Sequence, residues 1–169
     1  MPDRKLVGFS GGQQETSDSC WACAARAIIN WYEKKVIYKS DQELATAWAK
    51  VTGKSINANI SIQQSASAAL GDLKYKNNTD SAPIPTKSEI KAWLDRDKPL
   101  LAITAGTAVT KPNITVTGGH WVVIVGINGF GTKIDVFDPV DGGIHTVDYD
   151  TSTYVPGQYW QNTSYVDKK

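Results

Sequence analysis

The sequence has few residues that are able to form disulfides, bind metal ions or act as nucleophiles. Its 169 residues include only two cysteines, Cys20 and Cys23, and two histidines, His120 and His145. Two cysteines are too few for a disulfide scaffold, and a chain of this length buries enough apolar surface to fold without one. A zinc site built from these four residues has no recognised spacing, because a long stretch of chain separates Cys23 from His120. We therefore expect no metal and no cofactor.

The chain also lacks an excess of charge of either sign. Its 18 Lys and Arg residues nearly balance its 17 Asp and Glu residues, which leaves a net charge of +1 at pH 7. Domains that bind nucleic acid usually carry a basic stripe, so we expect no nucleic-acid partner. The longest apolar run, residues 121–127, is far too short to cross a bilayer, so we expect no membrane partner.

A secretory signal is missing as well, because no hydrophobic segment follows the charged residues near the N-terminus. We therefore expect the protein to stay in the cytosol, or to enter a target cell by a specialised secretion route that does not read such a signal.

Helical and β-rich segments are separated along the chain. A short strand is predicted at 6–9. Apolar spacing and capping residues then predict helices that begin near 17–20, 40, 61 and 88, and a loop at 77–85. Beyond Pro99, β-rich segments follow at 100–104, 121–127, 134–137 and 144–147, with a final strand pair containing Tyr159, Trp160 and Tyr165. Separated runs of this kind predict an α+β fold with an antiparallel sheet. We expect one domain over 1–169, with a helical lobe at about 13–98 and a β lobe at about 99–169.

Cys20 and His120 are the strongest candidates for a nucleophile and its base. Cys20 lies at the start of the first predicted helix, where free N–H groups and the helix dipole stabilise a thiolate. A thiol nucleophile needs a base or an ion-pair partner, and His120 begins a predicted strand. Gly118 and Gly119 precede it and allow close approach by another backbone or a substrate, so we predict that they contact substrate.

The imidazole of His120 in turn needs an acceptor that fixes its tautomer. Asp138 ends the next predicted strand, and two neighbouring antiparallel strands can bring it against His120. Asp135 and Asn128 are the alternatives for this position, and the Asp138-Pro139 pair is also compatible with a simple turn.

An oxyanion formed during attack on a carbonyl group needs hydrogen-bond donors. The backbone N–H of Cys20 supplies one at the helix start, and a side-chain amide is suited to supply the other. Gln14 lies six residues before Cys20, in the loop that leads into the helix. Gln13 is the alternative donor.

In this order, the motifs resemble those of the papain-like cysteine peptidases. In that family a Gln precedes a Cys-Trp pair on the central helix, a His heads a sheet strand, and an Asn or Asp completes the site. The matching stretches here are Gln14, 19–22 (Ser-Cys-Trp-Ala), 119–126 (beginning Gly-His-Trp-Val) and Asp138-Pro139. The Asp-Pro pair, the Gln-Gln pair and the compact length resemble the bacterial branch, which includes the peptidase domains of bacteriocin-processing transporters and papain-fold effector proteases.

The resemblance implies roles for the candidate residues. Cys20 is then the nucleophile, His120 the general base and acid, Asp138 the orienting acceptor and Gln14 the oxyanion donor. Trp21 is expected to be a core anchor with an edge on the substrate cleft. The chain departs from larger relatives in lacking an Asn-Ser-Trp stretch after the histidine.

The resemblance also implies a reaction and a setting. It predicts peptide hydrolysis through a thioester, with a cut after Gly or Gly-Gly, on a protein or peptide substrate. We expect an effector or toxin that acts in a target cell and is restrained by a cognate inhibitor or immunity protein, with a housekeeping protease as the alternative.

The sequence is also compatible with other functions. A Cys-His pair also serves deamidases, transglutaminases and peptidoglycan amidases, and a non-enzymatic binding module of the same fold is a further reading. The Cys20-x-x-Cys23 spacing at a helix start is compatible with a thiol-disulfide oxidoreductase, although no strand is predicted to end just before it. We expect Cys23 to pack in the core and His145 to be structural or on the surface.

Overall fold

In the computed structural model, a group of helices packs against one extended antiparallel sheet. The structure describes residues 3–79, 83–111 and 114–169. Its helices are α1 Cys20–Glu33, α2 Asp41–Thr52, α3 Ala66–Asp72 and α4 Lys87–Leu94, with a 3₁₀ turn at Ser55–Ala58. Its strands are β1 Arg4–Lys5, β2 Tyr75–Thr79, β3 Leu100–Lys111, β4 Ile114–Thr117, β5 His120–Ile127, β6 Lys133–Asp138, β7 Gly143–Asp148, β8 Thr153–Val155 and β9 Gln158–Lys168.

The strands form a sheet in the order β2-β9-β3-β5-β6-β7, with antiparallel neighbours throughout. Three short strands lie beside this path, where β1 pairs with β5, β4 with β3 and β8 with β9. In the β5–β6 pair, Val123 lies opposite Phe137. This register puts the beginning of β5 and the end of β6 at the same edge of the sheet, so His120 and Asp138 become neighbours.

Helix α1 is the centre of the hydrophobic core. Its first ten residues are all buried, and it packs against α2, α3 and β5. Most of these residues are alanine, isoleucine or cysteine, whose small or branched side chains allow neighbouring elements to approach closely. Fully burying a large apolar side chain such as Ile28 contributes roughly 1.5–3 kcal/mol to stability. The core therefore fixes the position of Cys20 at the end of this helix.

The antiparallel sheet and the separate helices confirm the predicted α+β class. Several boundaries were predicted wrongly. The predicted loop at 77–85 overlaps β2, which pairs with β9 along the sheet edge, while residues 80–82 lie outside the described ranges. The short strand expected at 6–9 is instead β1, Arg4–Lys5. The final strand pair is present as β8 and β9, and all three aromatic residues assigned to it lie on β9.

The third helix begins five residues later than predicted. Ser65 caps it, since its hydroxyl accepts a hydrogen bond from the Ala68 N–H. The preceding residues run outside the helix because two indole N–H groups hold their carbonyl groups, Trp21 on Ile62 at 3.1 Å and Trp121 on Gln64 at 3.2 Å. None of the described helices is long and apolar enough to cross a membrane.

Candidate active site

Cys20 is the first residue of α1, as the sequence predicted. It is only 2% exposed and is not part of a disulfide. The helix cap at Ser19 is unusual, because the serine side chain makes no capping hydrogen bond to the helix. The N-terminal end of α1 therefore presents its backbone N–H groups beside the thiol, which favours an anion at this position.

His120 is the first residue of β5 and is also nearly buried, at 3% exposure. Its Nε2 atom lies 2.7 Å from Oδ1 of Asp138. His120 and Cys20 also line the same cavity. The thiol and the Asp138 carboxylate are therefore both close to this imidazole.

The electrostatics of this arrangement favour charged partners. Burial disfavours the imidazolium, but hydrogen bonds to Asp138 and Cys20 and their negative charges outweigh it and raise the pKa of His120 to about 10. Burial likewise disfavours the Asp138 carboxylate, yet the hydrogen bond and charge of His120 hold the pKa of Asp138 below its usual range. The pair is consequently an imidazolium and a carboxylate at neutral pH.

Asp138 is held by two further donors. The Val140 N–H donates to Oδ1 at 3.0 Å, which is the local turn bond expected after an Asp-Pro step. The buried Tyr154 hydroxyl donates to Oδ2 at 2.8 Å. Tyr154 comes from β8, and no sequence pattern linked it to the site. Its hydrogen bond fixes the carboxylate plane against His120.

The two alternatives to Asp138 lie elsewhere. Asp135 pairs with Lys5 at 3.2 Å and accepts a hydrogen bond from Thr146 at 2.6 Å. Asn128 uses its amide oxygen within its own turn, where it accepts from the N–H groups of Thr132 and Lys133. Among the three acidic or amide residues considered, the structure brings Asp138 to His120.

A cavity of about 520 Å³ opens beside Cys20 and His120. It is lined by Gln13, Gln14, Glu15, Thr16, Ser17, Asp18, Cys20, Gln63, Thr115, Val116, Thr117, Gly119, His120 and Val140. Two of the lining residues are in contact, since Gln63 Nε2 donates to the Gly119 carbonyl group at 3.2 Å. The sequence analysis did not predict that Gln63 and β4 line this cavity, because only long-range packing brings them to Cys20.

Three residues were predicted to contact substrate, namely Gly118, Gly119 and Trp21, and one of them lines the cavity. Gly119 lines the cavity, whereas Gly118 is not part of its lining and forms a turn with φ +80°. Trp21 has no exposed surface and packs 5.2 Å from the Trp48 ring. The structure gives Trp21 the predicted core position but not the predicted edge on the cleft, because the segment that accepts its indole N–H covers it.

Both candidate oxyanion donors line the cavity. Gln14 donates from Nε2 to Thr16 O at 2.7 Å, which uses one of its two amide N–H groups. Its Oε1 is buried and has no hydrogen-bond partner within the described ranges. Gln13 donates instead to Val140 O at 3.1 Å. Gln14 and Cys20 therefore line the same cavity, and the hydrogen bond to Thr16 leaves the second amide N–H of Gln14 for a ligand.

The remaining cysteine and histidine lie outside this arrangement. Cys23 is completely buried, with Sγ 3.3 Å from Gly12 O, and burial raises the pKa of its thiol. His145 is partly exposed and pairs with Asp141 at 2.9 Å. Over the described residues, no three His, Cys, Asp or Glu side chains form a cluster suited to a metal ion.

Comparison with known proteins identifies the family. Residues 8–154 match the family described as "Papain-like cysteine protease AvrRpt2". The chain belongs to this family. The protease is also similar in fold to xylellain, a cysteine protease from Xylella fastidiosa, with a TM-score of 0.60 and 14% sequence identity. That match covers 100% of this chain and 87% of xylellain. No curated protein matches the sequence at a significant level.

These findings confirm the resemblance that the motifs indicated. The protease is a papain-like cysteine peptidase related to bacterial enzymes, and it has the mixed α+β fold of such an enzyme. Membership of a protease family implies a protein substrate.

Proposed function

We propose that Cys20, His120 and Asp138 form the catalytic triad of this protease. The observation that carries the proposal is the position of His120, whose Nε2 binds Asp138 at 2.7 Å and which lines the same cavity as Cys20. A nucleophile, a base and an orienting group in hydrogen-bond contact are what covalent catalysis requires. The cavity at Cys20 supplies room for a peptide.

The reaction then follows from the charge state of the site. The Cys20 sulfur attacks the carbonyl carbon of the scissile bond, and the His120 imidazolium gives its proton to the leaving amine nitrogen. The C–N bond breaks and leaves a thioester on Cys20. Neutral His120 next takes a proton from water, which attacks the thioester and releases the acid and the sulfur.

Two donors stabilise the oxyanion of each tetrahedral intermediate in this mechanism. One is the backbone N–H of Cys20 at the start of α1, and the other is the second amide N–H of Gln14. Removing one such donor typically lowers kcat by about 10²–10³. Gln14→Ala is expected to show a loss of this size, whereas Gln13→Ala leaves kcat within a small factor of wild type.

We further propose that the residue before the cut is glycine. The Gln63 side chain donates to the Gly119 carbonyl, and both residues line the cavity together with His120. A substrate residue without a side chain needs the least space beside these two residues. A series of peptides with Gly, Ala or Leu before the cut tests the idea, with kcat/KM expected to fall in that order.

The decisive experiment compares wild type with Cys20→Ala and His120→Ala on a peptide library read by mass spectrometry. New amino termini that appear only with the wild type support peptide hydrolysis through the triad. A mass change of a side chain without backbone cleavage would instead indicate amide chemistry on glutamine or asparagine.

We also propose that the protease acts on a protein of a target cell and is held inactive by a dedicated inhibitor protein where it is made. A preassembled site that opens to a cavity supports this idea, because such an enzyme needs restraint. Expression of the wild type in the producing cell is expected to be tolerated only together with a protein that copurifies with it. Equal tolerance of wild type and Cys20→Ala, without a partner, would contradict the proposal.

A further inference from the structure

The segment from Gln14 to Ser19 connects the two proposed oxyanion donors, yet it forms neither helix nor strand. Its geometry therefore depends on side-chain contacts from the rest of the fold. The first residue of α2, Asp41, provides several of these contacts. Its side chain is completely buried, although it carries a carboxylate.

Asp41 binds both ends of this segment with one oxygen. Oδ2 accepts a hydrogen bond from the Glu15 N–H at 2.8 Å and another from the Ser19 hydroxyl at 2.7 Å. Ser19 directly precedes Cys20, and Glu15 directly follows Gln14. Asp41 thus fixes the two residues that adjoin the two donors.

The Ser19 hydroxyl makes this contact with Asp41 and does not cap helix α1. A serine at the start of a helix usually accepts a hydrogen bond from a helix N–H, and Ser19 does not. Its hydroxyl oxygen instead accepts from the Thr16 N–H at 3.0 Å while it donates to Asp41. The turn of residues 16–19 is closed by the same hydroxyl that Asp41 holds.

The attachment between the segment and α2 is reciprocal. The Glu15 carboxylate accepts a hydrogen bond from the Gln42 N–H at 2.9 Å, at the N-terminal end of α2 where a negative charge is favourable. On the other side of Asp41, Oδ1 accepts from Arg26 Nε at 2.6 Å, and this pair is buried. The buried charge of Asp41 is therefore balanced from within α1, the helix that carries Cys20.

We propose that Asp41 is a positioning residue that holds Gln14 and the Cys20 N–H at the spacing an oxyanion requires. This proposal rests on the oxyanion hole of the proposed function. Asp41 does not touch the substrate and does not act on the thiol. A displacement of about 1 Å in such a donor is enough to lower the rate by about 10²-fold.

The test uses a pair of matched double variants. Asp41→Leu with Arg26→Met removes both buried charges together, which is usually tolerated when apolar side chains fill the space. Asp41→Asn with Arg26→Met removes the same charges but keeps a side-chain oxygen for the Glu15 N–H and the Ser19 hydroxyl. The two proteins differ in the two hydrogen bonds to the segment.

Two rates separate the proposed role from a role in stability. Peptide hydrolysis forms an oxyanion, whereas alkylation of Cys20 by iodoacetamide displaces iodide from a saturated carbon and forms none. The double variant with Asp41→Leu, called the Leu pair, is expected to lose about 10²-fold in kcat with little change in KM, and to keep its alkylation rate. The double variant with Asp41→Asn, called the Asn pair, is expected to keep most of its kcat.

A second comparison keeps the proposal testable should the Leu pair fail to fold. Ser19→Ala removes one of the two hydrogen bonds and is expected to lower kcat while leaving alkylation unchanged. Combined with Gln14→Ala, its effect is expected to be much less than additive, because both changes act on the same donor. Glu89→Ala, which breaks the capping box of α4 away from the site, is the control for lost stability.

Equal kcat values for the Leu and Asn pairs, or additive effects of Ser19→Ala and Gln14→Ala, would overturn the proposal. A loss of alkylation in the Leu pair would also overturn it, since Asp41 would then act on the nucleophile. Failure of the proposed triad has a different signature. In that case Cys20 would be alkylated at the same rate in the wild type and in His120→Ala.

Discussion

His120 and Asp138 meet at one edge of the sheet, with Nε2 2.7 Å from Oδ1, and each side chain is at most 3% exposed. An ion pair this deeply buried is stable only when its remaining hydrogen-bonding groups are satisfied. Val140 and Tyr154 donate hydrogen bonds to the carboxylate, and Cys20 contributes to the raised pKa of the imidazole. The pair and its neighbours therefore form one unit, and changes to either residue are felt at the thiol.

Two replacements of Asp138 show whether His120 needs a hydrogen-bond acceptor or a negative charge at this position. An asparagine can accept from the His120 Nε2–H and from the Val140 N–H, and its amide can donate to the Tyr154 hydroxyl, which is able to accept as well. We expect Asp138→Asn to retain partial activity and Asp138→Ala to lose about 10²-fold or more in kcat/KM. Steady-state kinetics on one peptide provides the measurement. Equal activity of wild type and Asp138→Ala would exclude the aspartate from the mechanism.

The raised pKa of His120 predicts an unusual titration. Nuclear magnetic resonance of the imidazole protons should give a midpoint near 10 in the wild type. Cys20→Ala and Asp138→Asn each remove a hydrogen bond and a charge that stabilise the imidazolium, so both should lower the midpoint. A wild-type midpoint at the ordinary value of 6.5 would contradict the ion pair.

The same shifts set the pH range in which the pair stabilises the fold. Because the pKa of His120 is raised, its contribution is complete below 6.5 and is lost as the pH rises through about 10. Because the pKa of Asp138 is lowered, its contribution is complete well above the ordinary value of 3.8 and is lost as the pH falls through the folded pKa. Urea unfolding of wild type and Asp138→Asn should therefore differ most at mildly acidic to neutral pH and converge at both extremes.

The sequence predicted the residues that lie at the ends of secondary-structure elements. Cys20 begins a helix, His120 begins a strand and Asp138 ends the next one, so local patterns were enough to place them near one another. The β5–β6 pairing and the His120–Asp138 contact agree with the predicted neighbouring strands. Their catalytic roles stay predictions until activity is measured.

The residues that surround this group could not be found in the same way. Tyr154, Gln63 and Asp41 reach the site through long-range packing, and each comes from a segment whose local sequence looks like ordinary strand, loop or helix start. The loop around Gln63 was predicted as helix because Ile62 and Ala66 have helical spacing. Hydrogen bonds from two tryptophans hold it outside the helix, and spacing does not report such contacts.

Cys23 should behave as an inert core residue. Burial raises the pKa of its thiol, and Sγ lies against the Gly12 carbonyl group. We expect iodoacetamide to label Cys20 alone, at a rate that Cys23→Ala leaves unchanged and His120→Ala lowers. Peptide mapping by mass spectrometry identifies the labelled thiol. Loss of both thiols together, reversed by a reducing agent, would favour the Cys-x-x-Cys redox function.

Gly119 offers a test of the substrate cleft that does not disturb the fold. A Cβ added there would lie 3.6 Å from Ile103 Cδ1 and 3.9 Å from Gln63 Oε1, which are ordinary contacts. Gly119 lines the cavity together with His120, so the new methyl group takes up space where we propose that the peptide binds. We expect Gly119→Ala to change the free energy of unfolding by less than about 0.5 kcal/mol. Its KM should nevertheless rise severalfold.

Gly118→Ala is the matched control for this change. Gly118 has φ +80° with open space around its added Cβ, so alanine is strained there by about 1–2 kcal/mol but adds nothing to the cavity wall. We expect it to lower the melting temperature and to leave KM unchanged. Thermal melts and steady-state kinetics on both variants check the prediction. A higher KM for Gly118→Ala than for Gly119→Ala would mean that the substrate approaches His120 from the turn rather than through the cavity.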